Sequence, residues 1–252
     1  MKRFCIKVAY DGTRYHGWQA QDGTSQTIEG VLNEALSVLL NEHIEVIGAS
    51  RTDAGVHALG NLAVFDSDTT IPGDRLLYAI NPLLPADIRV VESYETDPAF
   101  HPRHGNFRKR YEYRVLNTEF PDPMRRLYSW HVGYHLDIAL MQKACATLIG
   151  EHDFRAFCAS GSQALTTVRT IYAAEVIQKG DEIVFGIEGN GFLYNMVRII
   201  AGTLVDIGRG RLSPECIAEA LESGERTAVG LTAPACGLVL IGYTLQKVID
   251  TD

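Results

Sequence analysis

The chain has 252 residues, 46% apolar and 21% charged, with a formal net charge of −8. That balance suits a soluble globular protein with a sizeable core, in one large domain or two small ones. No apolar run is long enough to span a bilayer, and MKRFCIKVAYDG lacks the apolar core and cleavage site of a signal peptide, so a cytoplasmic chain without a membrane partner is expected.

Residues 3–10 alternate Phe4, Ile6, Val8 and Tyr10 against Cys5, Lys7 and Ala9, the period of a strand. A glycine-rich loop follows. Ile28, Val31, Leu32, Ala35, Leu36 and Leu39 then recur at helical spacing, with Ser25 or Thr27 as the N-cap. Residues 43–50 and 62–67 read as strands, 74–81 as a short helix stopped by Asn81-Pro82, and 88–97 as a strand. The second half repeats the order. It has a strand at 107–117, a helix at 136–149, and a hairpin of 167–179 and 182–189 around Lys179-Gly180-Asp181. A helix at 192–206, an extra helix at 213–223 and a strand at 237–247 complete it. Two β-α-β-β-α-β passes predict an α+β chain of two ferredoxin-like (RRM-like) halves with antiparallel sheets. The expected division is 1–104 and 105–252, where PAFHPRHGN interrupts both periodicities. A cleft between two sheets is the natural place for a site.

Charge is unevenly spread. Residues 103–126 carry Arg103, Arg108, Lys109, Arg110, Arg114, Arg125 and Arg126 against Glu112, Glu119 and Asp122, a basic stripe able to place phosphates locally. Cys5, Cys145, Cys158, Cys216 and Cys236 are scattered without zinc-knuckle spacing and read as reduced thiols. HExxH is absent, and His101 and His104 sit beside prolines rather than on a helix, so no catalytic metal is expected.

Four stretches carry candidate chemistry. In RTDAGVH, residues 51–57, Asp53 follows a strand end among small residues and shares a face with Arg51; it either projects into a cleft or caps a turn at Gly55, and spacing alone favours the turn. In FRKRYEY, residues 107–113, Lys109, Tyr111 and Tyr113 share one strand face, and Arg108, Arg110 and Glu112 the other. Cations interleaved with rings suit nucleic acid, or an edge strand with a solvated charged face. In GNGFLYNMVRIIAG, residues 189–202, Arg198 lies off the buried stripe; it is a surface arginine, or one held to orient a carboxylate. The loop at 10–27 has no phosphate-loop motif; it grips a polynucleotide through Arg14, His16 and Trp18, or is simply a long ordered loop.

Six blocks taken together resemble the A-type tRNA pseudouridine synthases: AYDGT-x-YHGWQ-x-Q at 9–21, SRTDAGVHA at 50–58, FHPR at 100–103, KRYEY at 109–113, HDF at 152–154 and GFLYNMVRIIAG at 191–202. The resemblance runs over nearly the whole chain, in order. It implies isomerisation of uridine to pseudouridine at positions 38, 39 and 40 of the tRNA anticodon stem-loop. It also implies no cofactor, no metal, a homodimer, and two α+β halves around a central basic cleft. Carried over, the catalytic aspartate is Asp53, the aromatic against the target base is Tyr111, and the arginine paired with the carboxylate is Arg198. Arg51 matches the arginine of the same block. Ser50 stands where the family commonly has glycine, and the helix block varies around Asn195 and Ile199; neither change touches the three central side chains. Flipping a uridine from its stack costs on the order of a few kcal/mol, to be offset by phosphate contacts. Arg14, Arg103, Arg108, Arg110 and Arg209 are the candidates, with His16 and Trp18 in the first loop. Two rival readings stand beside this one. One is a non-catalytic RNA-binding protein. The other is a metal-dependent hydrolase built on His57, His101, His104 and Asp53.

Overall fold

The computed structural model describes residues 1–21, 23, 26–104 and 107–245. The chain divides into two compact units, residues 1–107 with the segment from Leu240 onward, and Arg108–Val239.

In the first unit β1 (Lys2–Tyr10), α1 (Ile28–Leu40), β2 (Ile47–Gly48), β3 (His57–Ser67), α2 (Leu76–Ile80) and β4 (Ile88–Thr96) follow the expected order. Strand β1 is central and antiparallel to both β3 and β4, and β2 pairs with β3. Phe4, Cys5 and Ile6 of β1 are fully buried, and Phe4 lies opposite Phe65 with the rings stacked 5.5 Å apart. Thr27 caps α1 by accepting from the Gly30 N–H (3.2 Å), and Ile28, Leu32, Ala35 and Leu36 form its buried stripe. Ser25 lies outside the described residues.

Two expected strands changed extent. Of 43–50, only Ile47–Gly48 pairs, because side chains of α1 capture the preceding backbone: Ser37 Oγ accepts from the Ile44 N–H (2.9 Å) and Asn33 Oδ1 from the Val46 N–H (2.8 Å). The expected strand at 62–67 instead begins at His57.

The second unit holds β5 (Phe107–Leu116, Phe107 itself grouping with the first unit), β6 (Trp130–His131), α3 (Ile138–Ala146), β7 (Gly150–Asp153), β8 (Val168–Lys179), β9 (Glu182–Gly189), α4 (Met196–Gly208) and α5 (Cys216–Ser223). Its antiparallel order is β5-β9-β8-β7, with β6 parallel to β5. The short β6 and β7 had no periodicity to announce them. The helix expected from 192 starts at Met196, because Asn195 has φ 60° and a helix cannot run through it. From there α4 is buried almost all round rather than on one stripe. The last strand, β10 (Leu238–Leu245), reaches back to the first unit from Leu240, where the Tyr243 hydroxyl donates to Asn61 on β3 (2.7 Å). This is where the observed division departs from one at 104/105; residues 246–247 of the expected strand lie outside the described residues. Among the described residues no helix is long and apolar enough to cross a membrane.

Candidate active site

In the first unit Asp53 lies on the loop between β2 and β3, half-buried, with Arg51 exposed two residues before it. The loop closes on itself where the Val56 N–H donates to the Asp53 carbonyl (3.1 Å). The segment after β1 clamps it from outside. The Trp18 N–H donates to the Thr52 carbonyl (3.0 Å), the Gly55 N–H to the Tyr15 carbonyl (3.2 Å), and the Tyr10 and Thr52 hydroxyls bond at 2.8 Å. His57, buried, accepts from the Gly12 N–H at Nδ1 (3.1 Å), with Asp11 Oδ1 3.2 Å away. Gly12 is required by space: a Cβ there would lie 2.0 Å from the Val56 carbonyl oxygen. His57 thus helps seat the loop. The turn that spacing favoured exists, and it carries the carboxylate.

The first loop places its other expected contacts differently. Trp18 is fully buried, its indole against Gly48, where a Cβ would come within 2.3 Å of Nε1, and its ring 6.0 Å from that of Tyr10. The expectation that Trp18 touches a polynucleotide is corrected: the ring fills the space left by a missing side chain and holds the loop down. His16 is exposed. The exposed Arg14 donates from Nε (3.0 Å) and Nη2 (2.5 Å) to Asp87 Oδ2, while the Tyr15 hydroxyl donates to Oδ1 (2.7 Å). Arg103 donates from Nε to the Gly48 carbonyl (2.8 Å). Partial burial first, and then the charge of Arg51, hold its guanidinium below the ordinary arginine value, with Glu29 opposing.

In the second unit Tyr111 lies on β5 opposite Ile187, buried with 8% of its surface exposed. Phe192 meets it edge to face, centroids 5.2 Å apart at 86°, a favoured aromatic geometry. Phe192 belongs to the GFLYN block, but no spacing in the sequence marks it as a partner of Tyr111. Tyr113, on the same face, is fully buried and donates to the Pro234 carbonyl (2.7 Å), and burial pushes its phenol far above the ordinary range.

The opposite face of β5 carries carboxylates beside its arginines. Arg108 lies 3.4 Å from Glu188 and over the Tyr172 ring at 4.2 Å. Arg110 lies 2.8 Å from Glu175 and 3.5 Å from Glu112, and Arg114 is 3.8 Å from Glu112. A phosphate approaching Arg108 or Arg110 meets acids already in place. Arg209 sits over the Tyr134 ring at 4.3 Å and 3.9 Å from Asp206.

Arg198 is not the loose surface arginine that its spacing allowed. It is half-buried near the start of α4, Nε donating to the Ala233 carbonyl (2.8 Å) and Nη1 to Asn195 Oδ1 (2.7 Å). The Ala233 N–H returns a bond to the Arg198 carbonyl (3.1 Å). The planar fork is thereby aimed by two fixed acceptors, as orientation of an anion requires.

Among the described residues no three His, Cys, Asp or Glu side chains gather to hold a metal ion. The His101 and His104 rings face one another at a tilt of 35°, centroids 4.3 Å apart. Burial pushes the Cys145 thiol up to about 12 and Cys216 to about 11, so both stay protonated near neutrality.

A family model described as "tRNA pseudouridine synthase" matches residues 6–104 and 144–244. The protein named tRNA pseudouridine synthase A from Thermoanaerobacter sp. (strain X514) is 48% identical over 241 residues, covering 96% of this chain and 98% of its own. The proteins of that name from Acetivibrio thermocellus and Halalkalibacterium halodurans are 45% and 46% identical, covering 96% and 95% of this chain and 98% and 91% of their own. With matches of this extent across both units, the chain belongs to the tRNA pseudouridine synthase family.

Proposed function

We propose that this chain isomerises uridine to pseudouridine in tRNA, at positions 38, 39 and 40 of the anticodon stem-loop, as a cytoplasmic homodimer without cofactor or metal. Within that reading both units are ferredoxin-like halves flanking a basic cleft, and the antiparallel order β4-β1-β3-β2 of the first unit supports it.

The observation that carries the reading is Asp53, in the RTDAGVH block, on a loop held from two sides by backbone and side-chain bonds. The reaction breaks the bond from C1′ to N1, turns the uracil, and joins C1′ to C5. N1 gains a proton and C5 loses one, so the product is an isomer and no redox partner is needed. An ionised carboxylate beside sugar and base serves either as nucleophile at C1′ or as base toward the sugar. Asp53 takes that part. Arg198 pairs with it and keeps it charged once water is excluded, since a nearby cation offsets desolvation. Tyr111 packs on the uracil, and Arg51, Arg103, Arg14 and His16 meet the RNA from the first unit. Arg108 and Arg110 contribute only if phosphate displaces their acidic partners. Trp18 acts from within the core.

The test is incubation with unmodified tRNA tritiated at uridine C5. Release of the label into water is expected from the parent and is abolished in Asp53→Asn, which retains tRNA binding. Label release by Asp53→Asn at an appreciable rate would overturn the assignment.

A further inference from the structure

Asn61 lies on β3, is fully buried, and has no part in the roles given above. Its amide is saturated. Oδ1 accepts from the Ser50 N–H (3.2 Å) and the Tyr243 hydroxyl (2.7 Å), and Nδ2 donates to the Ser50 carbonyl (2.9 Å) and the Tyr10 hydroxyl (3.4 Å). A side-chain amide offers two lone pairs and two N–H bonds, so this set also decides which way the amide faces. The Tyr10 hydroxyl, which accepts from Asn61, also bonds the Thr52 hydroxyl at 2.8 Å. A continuous run of hydrogen bonds links Tyr243, Asn61, Tyr10 and Thr52.

Its targets are informative. Ser50 and Thr52 are buried and stand three and one residues before Asp53. They lie beyond the end of β2, in residues 50–53, which have no regular secondary structure. The backbone groups of Ser50 would be costly orphans without a partner. A fully satisfied polar network imposes one geometry where an apolar side chain would supply only volume.

Resting on the function proposed above, we infer that Asn61 is a positioning residue. With Tyr10 and Tyr243 as relays, it sets the backbone from which Asp53 meets the substrate, and so acts on turnover rather than on RNA affinity.

The experiment uses hydroxyl deletions that leave both bonds from Asn61 to Ser50 in place. Tyr10→Phe is expected to lower kcat for label release about tenfold with KM within twofold, as a transition-state-only loss requires. Tyr243→Phe is expected to shift kcat in the same direction by less. Thr52→Val should match Tyr10→Phe, the double variant should be no slower than either single one, and Thr52→Ser should restore the rate. Should Tyr10→Phe fail to fold, the comparison of Thr52→Val with Thr52→Ser decides alone. Parental kcat in Tyr10→Phe and Thr52→Val, or a raised KM with kcat unchanged, overturns the inference. Asp53→Asn runs alongside: turnover by that variant defeats the functional reading, whereas a dead Asp53→Asn beside a fully active Tyr10→Phe defeats the positioning role alone.

Discussion

Replacing Gly12 by alanine measures how tightly the Asp53 loop is clamped. The added carbon would lie 2.0 Å from the Val56 carbonyl oxygen and 2.6 Å from its carbon. Ordinary contact begins at 3.4 Å, so the segments must part by roughly 1.4 Å, the difference between 3.4 and 2.0. The obstacle is backbone, which cannot swing aside as a flexible side chain would. The Val56 N–H is bonded to the Asp53 carbonyl, so movement at Val56 is passed to Asp53. A misplacement of about 1 Å at a reacting group costs on the order of 10²-fold in rate, and overpacking costs about 1–3 kcal/mol of stability. Gly12→Ala should therefore release tritium from C5-labelled tRNA roughly a hundredfold more slowly at saturating substrate. Thermal unfolding should remain cooperative, and tRNA retention on filters should stay within about threefold of the parent, because the arginines proposed above to meet the RNA are not replaced. Near-parental turnover by a folded Gly12→Ala protein would refute the clamp.

Three further perturbations separate the roles assigned above. Tyr111→Phe should keep much more activity than Tyr111→Ala if the ring acts by packing on the base; equal losses in single-turnover rates would point to the hydroxyl instead. Arg198→Lys keeps the charge but cannot reach both the Ala233 carbonyl and Asn195 while presenting a planar fork. Its kcat should fall by roughly tenfold or more, and an unchanged kcat would show that charge alone suffices. Asp66 accepts from Arg3 Nε (2.7 Å) and Nη2 (2.6 Å), and that bonding holds its carboxyl below the ordinary range. The stabilisation is present above the ordinary aspartate pKa and is lost as pH falls through the lowered native value. Asp66→Asn should thus lower the urea midpoint at pH 7 and do so by less near pH 3; an equal shift at both would exclude the ion pair as the cause.

The elements visible in the sequence were those made by local forces. Alternation in β1 and the stripe Ile28, Val31, Leu32, Ala35, Leu36 and Leu39 depend on neighbours within a few residues, and both elements formed where expected, though Val31 and Leu39 are only half-buried and Cys5 is buried against the alternation. The ends of elements were less legible, because distant groups decide them. Asn33 and Ser37 take the backbone that would have extended β2, and the left-handed Asn195 delays α4.

The candidate site divides the same way. Six ordered blocks single out Asp53, Tyr111 and Arg198 as candidates, because a family resemblance is carried by residue type at set places along the chain. What each side chain does depended on partners far away in sequence. Arg198 looked like a surface cation until the Ala233 carbonyl, 35 residues on, met its guanidinium. Arg108 and Arg110 looked ready for phosphate until strand register set Glu188 and Glu175 beside them. Trp18 read as a loop aromatic until Gly48 opened the space that buries it.

The sequence by itself therefore determined the family and the order of the longer elements, and named candidate site residues, all carried by short-range pattern and chemical identity. Only the tertiary structure decided which polar groups were already satisfied. Hydrogen bonding and burial are set by approach in space, and the saturated amide of Asn61 behind the Asp53 loop leaves no trace in spacing.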